Sequence, residues 1–253
     1  MGQSIVVASG KGGVGKTSIV AGVSSCLAKL GAKTICVDAD IGLRNLDLVL
    51  GLQELAVFDF TDVLSDRATL EDALTYHPDI EGLSLLAAPA RIPDNSISLG
   101  AFKELIRTLE GMADFVLVDS PAGLGQGFAF AAGACGGAIV VTTPNQMAVR
   151  DGARCAEFFY EREMAKIIVN RVQPRLIKLH HAHTIDEIMD TIGLPLLGIV
   201  PEDEMIGASQ NRNLPIILAA GNGAAAAFCD IADRLLGNEC PLPGRLKEWR
   251  VEG

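Results

Sequence analysis

Gly10-Lys11-Gly12-Gly13-Val14-Gly15-Lys16-Thr17 decides the reading of this chain. It matches G-x-x-x-x-G-K-[ST], the loop that wraps a polyphosphate. Ahead of it stands Ile5-Val6-Val7-Ala8-Ser9, a short apolar run that reads as a strand. Behind it a helical stretch runs from about 15 to 30 and stops at Gly31. Strand, glycine-rich turn and helix, in that order, are the context the motif requires. The glycines let backbone N–H groups turn inward around phosphate oxygens, and the helix N-terminus adds partial positive charge. Lys16 can reach the β- and γ-phosphates, and Thr17 offers a hydroxyl to Mg2+. Gly10 through Thr17, with Ser18 behind them, are the expected phosphate-binding residues.

The same strand-then-helix alternation recurs outward from the loop. Thr34-Ile35-Cys36-Val37-Asp38, Leu83-Ser84-Leu85-Leu86-Ala87 and Phe115-Val116-Leu117-Val118-Asp119 read as strands. So do Ala138-Ile139-Val140-Val141-Thr142, Ile167-Ile168-Val169-Asn170 and Leu196-Leu197-Gly198-Ile199-Val200. Helical patterns lie near 99–109, 148–160, 185–192 and 224–236. The strands are continuous apolar runs, not alternating ones, which marks strands covered on both faces. The expected fold is α/β: a single doubly wound, mostly parallel sheet with helices on both faces. Residues 1–237 read as one domain without a linker. Residues 238–253 read as a tail, because Pro241 and Pro243 interrupt regular structure.

Composition narrows the function. Of 253 residues, 49% are hydrophobic and only 5% aromatic, with 27 glycines, so small aliphatic side chains must build a large core. That excludes a disordered chain. Lys and Arg total 21 against 31 Asp and Glu, a formal charge of −10, which makes a poor general binder of nucleic acid or anionic lipid. No apolar run reaches the ~18 residues of a membrane span, and Met1-Gly2-Gln3-Ser4-Ile5 lacks a secretory pattern. Six cysteines, Cys26, Cys36, Cys135, Cys155, Cys229 and Cys240, form no C-x-x-C pair. They read as reduced, buried thiols of a cytoplasmic protein. His180, His181 and His183 form an H-H-x-H cluster that reads as a solvated loop, since no fourth metal ligand is spaced nearby.

Acids gather at strand ends, the edge where open α/β sheets bind ligands. Asp38 and Asp40 stand two apart, so an extended chain turns both toward the phosphates. Facing a polyanion, such a carboxylate has its pKa pushed up, which suits a weak base. Phe115-Val116-Leu117-Val118-Asp119 is an apolar strand ending in the acid expected to hold Mg2+, through water.

Lys11, a second lysine early in the loop, resembles the signature of the deviant Walker A ATPases, the family of MinD, ParA and nitrogenase iron protein. Asp38-Ala39-Asp40-Ile41-Gly42-Leu43-Arg44-Asn45-Leu46-Asp47 and Asp119-Ser120-Pro121-Ala122-Gly123 resemble the MinD forms of the two switch segments. Thr142-Thr143-Pro144 through Val149-Arg150-Asp151 resembles a MinD segment near the dimer interface. The likeness covers about residues 3–237. It implies that ATP drives homodimerisation, with Lys11 crossing to the partner's nucleotide. It makes Asp40 the residue that orients the attacking water and Asp38 an outer Mg2+ partner. Asn170 and Arg171 would meet adenine, and Pro201, Glu202 and Asp203 would line the base. It also implies a slow ATPase of division-site placement, a protein regulator of turnover, and a tail binding anionic membrane.

Leu242, Leu246 and Trp249 share one helical face, flanked by Arg245, Lys247 and Arg250, the pattern of a weak amphipathic anchor. The expected location is cytoplasmic, peripheral on the inner face of the cell membrane. Two departures touch the interface: Asn145 stands where MinD segments have Glu, and Gln146-Met147-Ala148 replaces a Ser-rich stretch. Other members give competing readings. A ParA-class partitioning ATPase needs a basic surface for DNA. A flagellar-number regulator carries an extension before the first strand, which here begins at Gln3. A metal-cluster carrier needs a second cysteine near Cys135.

Overall fold

Alternate residues of β1 (Gln3–Ala8) fill two different cores. Ile5 and Val7 pack under α1 (Lys16–Lys29), the helix behind the phosphate loop, while Val6 and Ala8 face the opposite helical layer. An unbroken apolar run is therefore a strand buried on both sides. The structure, a computed structural model, describes residues 2–91 and 97–242. The chain continues through β2 (Thr34–Asp38), α2 (Leu46–Leu50), α3 (Phe60–Leu64), α4 (Leu70–Ala73), β3 (Thr75–Tyr76), β4 (Leu83–Leu86), α5 (Leu99–Glu110) and β5 (Phe115–Asp119). Then come α6 (Gln126–Ala134), β6 (Gly137–Thr142), α7 (Gln146–Ala156), β7 (Ala165–Val172), α8 (Pro174–Lys178) and α9 (Ile185–Ile192). The described chain closes with β8 (Leu196–Pro201), α10 (Glu204–Gln210), α11 (Ile216–Ala219) and α12 (Ala224–Leu235).

The described strands form one sheet in the order β3-β4-β2-β5-β1-β6-β7-β8. Its pairs are parallel except β3 with β4. β1 lies between β5 and β6, so connections leave it toward both sides. The loop after β1 sits at that switch point, where such sheets open a crevice. Leu27 of α1 with Phe228 and Ile231 of α12 belong to one core, and Phe102, Phe128, Val149 and Ile188 of α5, α6, α7 and α9 to the other.

The doubly wound parallel fold expected from the sequence is present, and the differences are local. The helix expected at 148–160 starts at Gln146, because the Asn145 side chain accepts from the Met147 N–H at 3.0 Å and caps it. It ends at Ala156, before a run of turns. α2, α3 and α4 are too short to show a period, and α6, Gln-Gly-Phe-Ala-Phe-Ala-Ala-Gly-Ala, is apolar almost all round, so neither group announces itself.

The cysteine reading needs correcting. Cys26 of α1 and Cys229 of α12 are paired in a disulfide, their Cα atoms 5.1 Å apart. They stand 203 residues apart in sequence, and only the packing of α12 on α1 joins them. Phe228 enters that interface because Gly22 has no side chain; a Cβ there would overlap its ring. Cys36, Cys135 and Cys155 are free and buried, as expected, whereas free Cys240 is partly exposed. After α12, the Arg234 guanidinium donates to the carbonyls of Leu197, Cys240 and Pro241 at 2.9–3.1 Å and turns the chain back. The segment with Arg245, Leu246, Lys247, Trp249 and Arg250 lies outside the described residues.

Candidate nucleotide-binding site

Strand parity aims the site. Cys36, Leu117 and Ile168 point into the α1-side core. Two residues further, at the strands' C-terminal ends, Asp38, Asp119 and Asn170 must point to the same face. Parallel pairing sets Asp38 directly beside Asp119. Both are almost fully buried. Burial pushes the Asp38 carboxyl up to about 6. It pushes Asp119 up to about 7, with the neighbouring Asp38 charge adding to the shift.

The phosphate loop arches over these ends. Gly13 and Gly15 take φ of 79° and 96°, a left-handed backbone that glycine adopts without strain. Gly13 is exposed, and a Cβ on it would meet nothing within 4 Å, so its positive φ and not crowding calls for glycine there. Gly15 serves packing as well, because a Cβ there would overlap the Asn170 amide. Gly10 does the same toward α7, where a Cβ would overlap the Asp151 carbonyl. The motif's glycines thus admit both the left-handed turns and the neighbouring elements.

Thr17 Oγ1 donates to Asp119 Oδ2 at 2.6 Å. Asp119 Oδ1 is buried and has no hydrogen-bond partner, so a strong acceptor is left for a cation. A hydroxyl and a carboxylate meeting at a phosphate loop are the donor set Mg2+ takes, and these residues fit the metal. Lys16 is 8% exposed, and its charge opposes the upward shifts of Asp119 and Asp40. Asp40 is half-buried, and burial raises its carboxyl. Asp38 accepts from the N–H groups of Asp40 at 2.9 Å and Leu46 at 3.1 Å, so it holds the segment that carries Asp40.

At the other end of the crevice, Asn170 Nδ2 donates to the Val14 carbonyl at 2.8 Å, and its buried Oδ1 lacks a partner. Arg171 sits at φ 55° in a β-bulge, after which Val172 pairs with Pro201. Glu202 N–H donates to the Val172 carbonyl at 3.0 Å. The fold therefore brings Lys16, Thr17, Asp38, Asp40, Asp119, Asn170, Arg171, Pro201 and Glu202 to one sheet edge. Asp203 is there too, but both its carboxylate oxygens accept from helix N–H groups. Lys11 is half-buried and makes no ion pair among the described residues.

Sequence reading missed Gln210, whose Nε2 donates to Ser18 Oγ at 2.9 Å from 192 residues away. No motif marks such a contact. Two features set aside on sequence stay outside the site. Cys135 is buried, and burial pushes its thiol up to about 12. Among the described residues no cluster of His, Cys, Asp or Glu is placed to hold a metal ion; His183 instead pairs with Glu187 at 3.4 Å.

A phosphate loop at the switch point of a mostly parallel sheet, over paired strand-end carboxylates, defines a P-loop nucleotide-binding protein. More narrowly, residues 5–216 match the CobQ/CobB/MinD/ParA nucleotide binding domain, and the chain belongs to that family. It is 38% identical over 245 residues to the septum site-determining protein MinD of Synechocystis sp., covering 96% of this chain and 92% of that one. Among solved structures it resembles MinD in the MinC:MinD cell division protein complex of Aquifex aeolicus, with TM-score 0.88, 36% identity, and coverage of 95% and 98%. It also resembles septum site-determining MinD complexed with Mg-ADP from Pyrococcus horikoshii, with TM-score 0.80, 29% identity, and coverage of 93% and 96%.

Proposed function

We propose that this chain is a MinD-type, Mg2+-dependent ATPase of division-site placement, in which ATP binding assembles a homodimer and hydrolysis dissolves it. The observation that carries this reading is Thr17 and Asp119 meeting beneath an open glycine loop, with an orphaned Asp119 oxygen beside them. Backbone N–H groups of residues 10–18 hold the phosphates, and Lys16 neutralises charge on the β- and γ-phosphates. Thr17 and Asp119 hold Mg2+, whose charge offsets that of the phosphate oxygens. Asp38 fixes the backbone of the switch segment. Asp40 orients water for in-line attack, its raised pKa suiting it to accept a proton.

Lys11 reaches the partner's nucleotide. Exposed Leu43, Leu124 and Met147 follow the C-terminal ends of β2, β5 and β6, and they supply apolar contact area on the same edge. Residues 1–237 form the ATPase domain. The tail 238–253 supplies membrane contact that is effective only when two copies act together. A protein regulator completes the cycle by stimulating hydrolysis; that the A. aeolicus relative is found in a MinC:MinD complex supports a protein partner. The test is ATP turnover with and without Mg2+, alongside mass in solution with ATP and with ADP. A chain that hydrolyses no ATP, or whose mass ignores the nucleotide, overturns the reading.

A further inference from the structure

Asp203 and Gln210 stand at opposite ends of α10, and each ties that helix to a neighbouring element. Asp203 Oδ1 accepts from Met205 N–H at 2.9 Å, capping α10. Its Oδ2 accepts from Ala224 N–H at 2.9 Å, capping α12. The residue before α12 must be glycine: Gly223 has φ 61°, and a Cβ there would overlap Asp203 Oδ2. One carboxylate thus secures two helix starts, each an orphan donor otherwise. It also fixes the chain just after Pro201 and Glu202, the segment expected to line the base. At the far end Gln210 Nε2 donates to Ser18 Oγ at 2.9 Å, one residue beyond Thr17 in the first turn of α1. Ser209 is buried, and its Oγ donates to the Ile206 carbonyl at 3.0 Å, closing the last turn of α10.

We propose that α10 is a strut that sets the span between the base end and the phosphate end of the nucleotide site, with Asp203 and Gln210 as its positioning residues. This rests on the nucleotide reading above. Seven helical residues span about 10 Å. A bound nucleotide bridges the same two places, from the end of β8 to the start of α1. The strut is tied at both ends by hydrogen bonds, which hold the two half-sites in register before ligand arrives. Such preorganisation matters only to a ligand that touches both ends. A free polyphosphate touches one.

The experiment measures dissociation constants of Mg-ATP and Mg-tripolyphosphate by calorimetry, on the full chain. Gln210→Met keeps side-chain length and removes the donor. Gln210→Glu restores a bond by accepting from the Ser18 hydroxyl. Asp203→Ser keeps a cap for α10 and loses the one for α12. Gln210→Met and Asp203→Ser weaken Mg-ATP by about tenfold, the scale of one lost hydrogen bond, and leave Mg-tripolyphosphate within about twofold. Gln210→Glu, whose added charge weakens both anionic ligands alike, restores the wild-type ratio of the two affinities. The Gln210 pair carries the test even where Asp203→Ser fails to fold. Parallel loss for both ligands in Gln210→Met, no loss for either, or a ratio that stays shifted in Gln210→Glu overturns the strut while leaving the nucleotide site intact. A wild-type chain that binds neither ligand overturns the nucleotide reading and the strut with it.

Discussion

Thr17 Oγ1 and Asp119 Oδ2 are 2.6 Å apart although 102 residues separate them in the chain. The first belongs to the helix behind the phosphate loop, the second to the end of β5. Their contact joins two motifs where the proposed Mg2+ site lies.

Lys16→Ala removes the cation proposed to face the phosphates. A charge-assisted hydrogen bond is worth about 1.5–3 kcal/mol, so ATP affinity falls roughly 10- to 100-fold. Asp40→Ala keeps ATP binding and slows turnover by about 10²- to 10⁴-fold, the scale of a lost general base. Calorimetry and single-turnover hydrolysis separate the two effects. Normal turnover in Asp40→Ala would remove its assigned role.

Asp38 and Asp119 make the nucleotide-free protein sensitive to pH. Their folded pKa values, about 6 and about 7, lie above the usual carboxylate value. Between about pH 4 and 7 the folded state therefore holds more protons than the unfolded one, and stability falls as pH rises. In Asp119→Asn that fall is smaller, and at pH 7.5 without Mg2+ the variant outlasts wild type in urea. Equal slopes for both proteins would show that Asp119 contributes nothing to the pH dependence.

Lys11 is tested in the Asp40→Ala background, where ATP persists. Light scattering finds a dimer with ATP and a monomer with ADP. Adding Lys11→Ala abolishes the dimer and spares most ATP affinity. A dimer that survives the second substitution would rule out a role across the interface.

Two glycine-to-alanine changes within helices carry opposite signs. Gly22→Ala drives a Cβ into the Phe228 ring between α1 and α12, and overpacking costs about 1–3 kcal/mol. Gly207→Ala in α10 meets nothing within 4 Å and stabilises by about 0.5–1 kcal/mol through a less flexible unfolded chain. Denaturant midpoints of the two variants read both values. Shifts in the same direction would contradict the packing described at one of the sites.

The tail is probed by pelleting with anionic vesicles. Binding requires ATP, weakens with salt, and disappears on truncation after Asn238 without loss of ATPase activity. Equal pelleting by truncated and full-length proteins would leave the tail without that role.

Much of this molecule is local, and locality made it legible. A strand buried on both faces must be an unbroken apolar run. Polar residues closing such runs, Asp38, Asp119 and Asn170, then mark the ligand edge, whereas their facing the α1 side is known only from the packing. The phosphate loop is legible because its geometry demands glycine at closely spaced positions, as Gly13 and Gly15 with positive φ show. Helices with a clear period, such as Ile185–Ile192, stand out, whereas one-turn helices and the uniformly apolar α6 have no period to read.

What the sequence by itself determined is the chemistry available: which residues can bind phosphate, hold a cation or orient water, and on which strand ends they stand. What only the tertiary structure decided is which partners those residues meet. Cys26 finds Cys229, Gln210 finds Ser18, and Asp203 spends both oxygens on the starts of two helices. The physical reason is the range of each effect. Backbone geometry and burial pattern act over a few residues and leave a mark at each position. A hydrogen bond between elements 192 residues apart depends on how whole helices pack, and leaves no mark at either end.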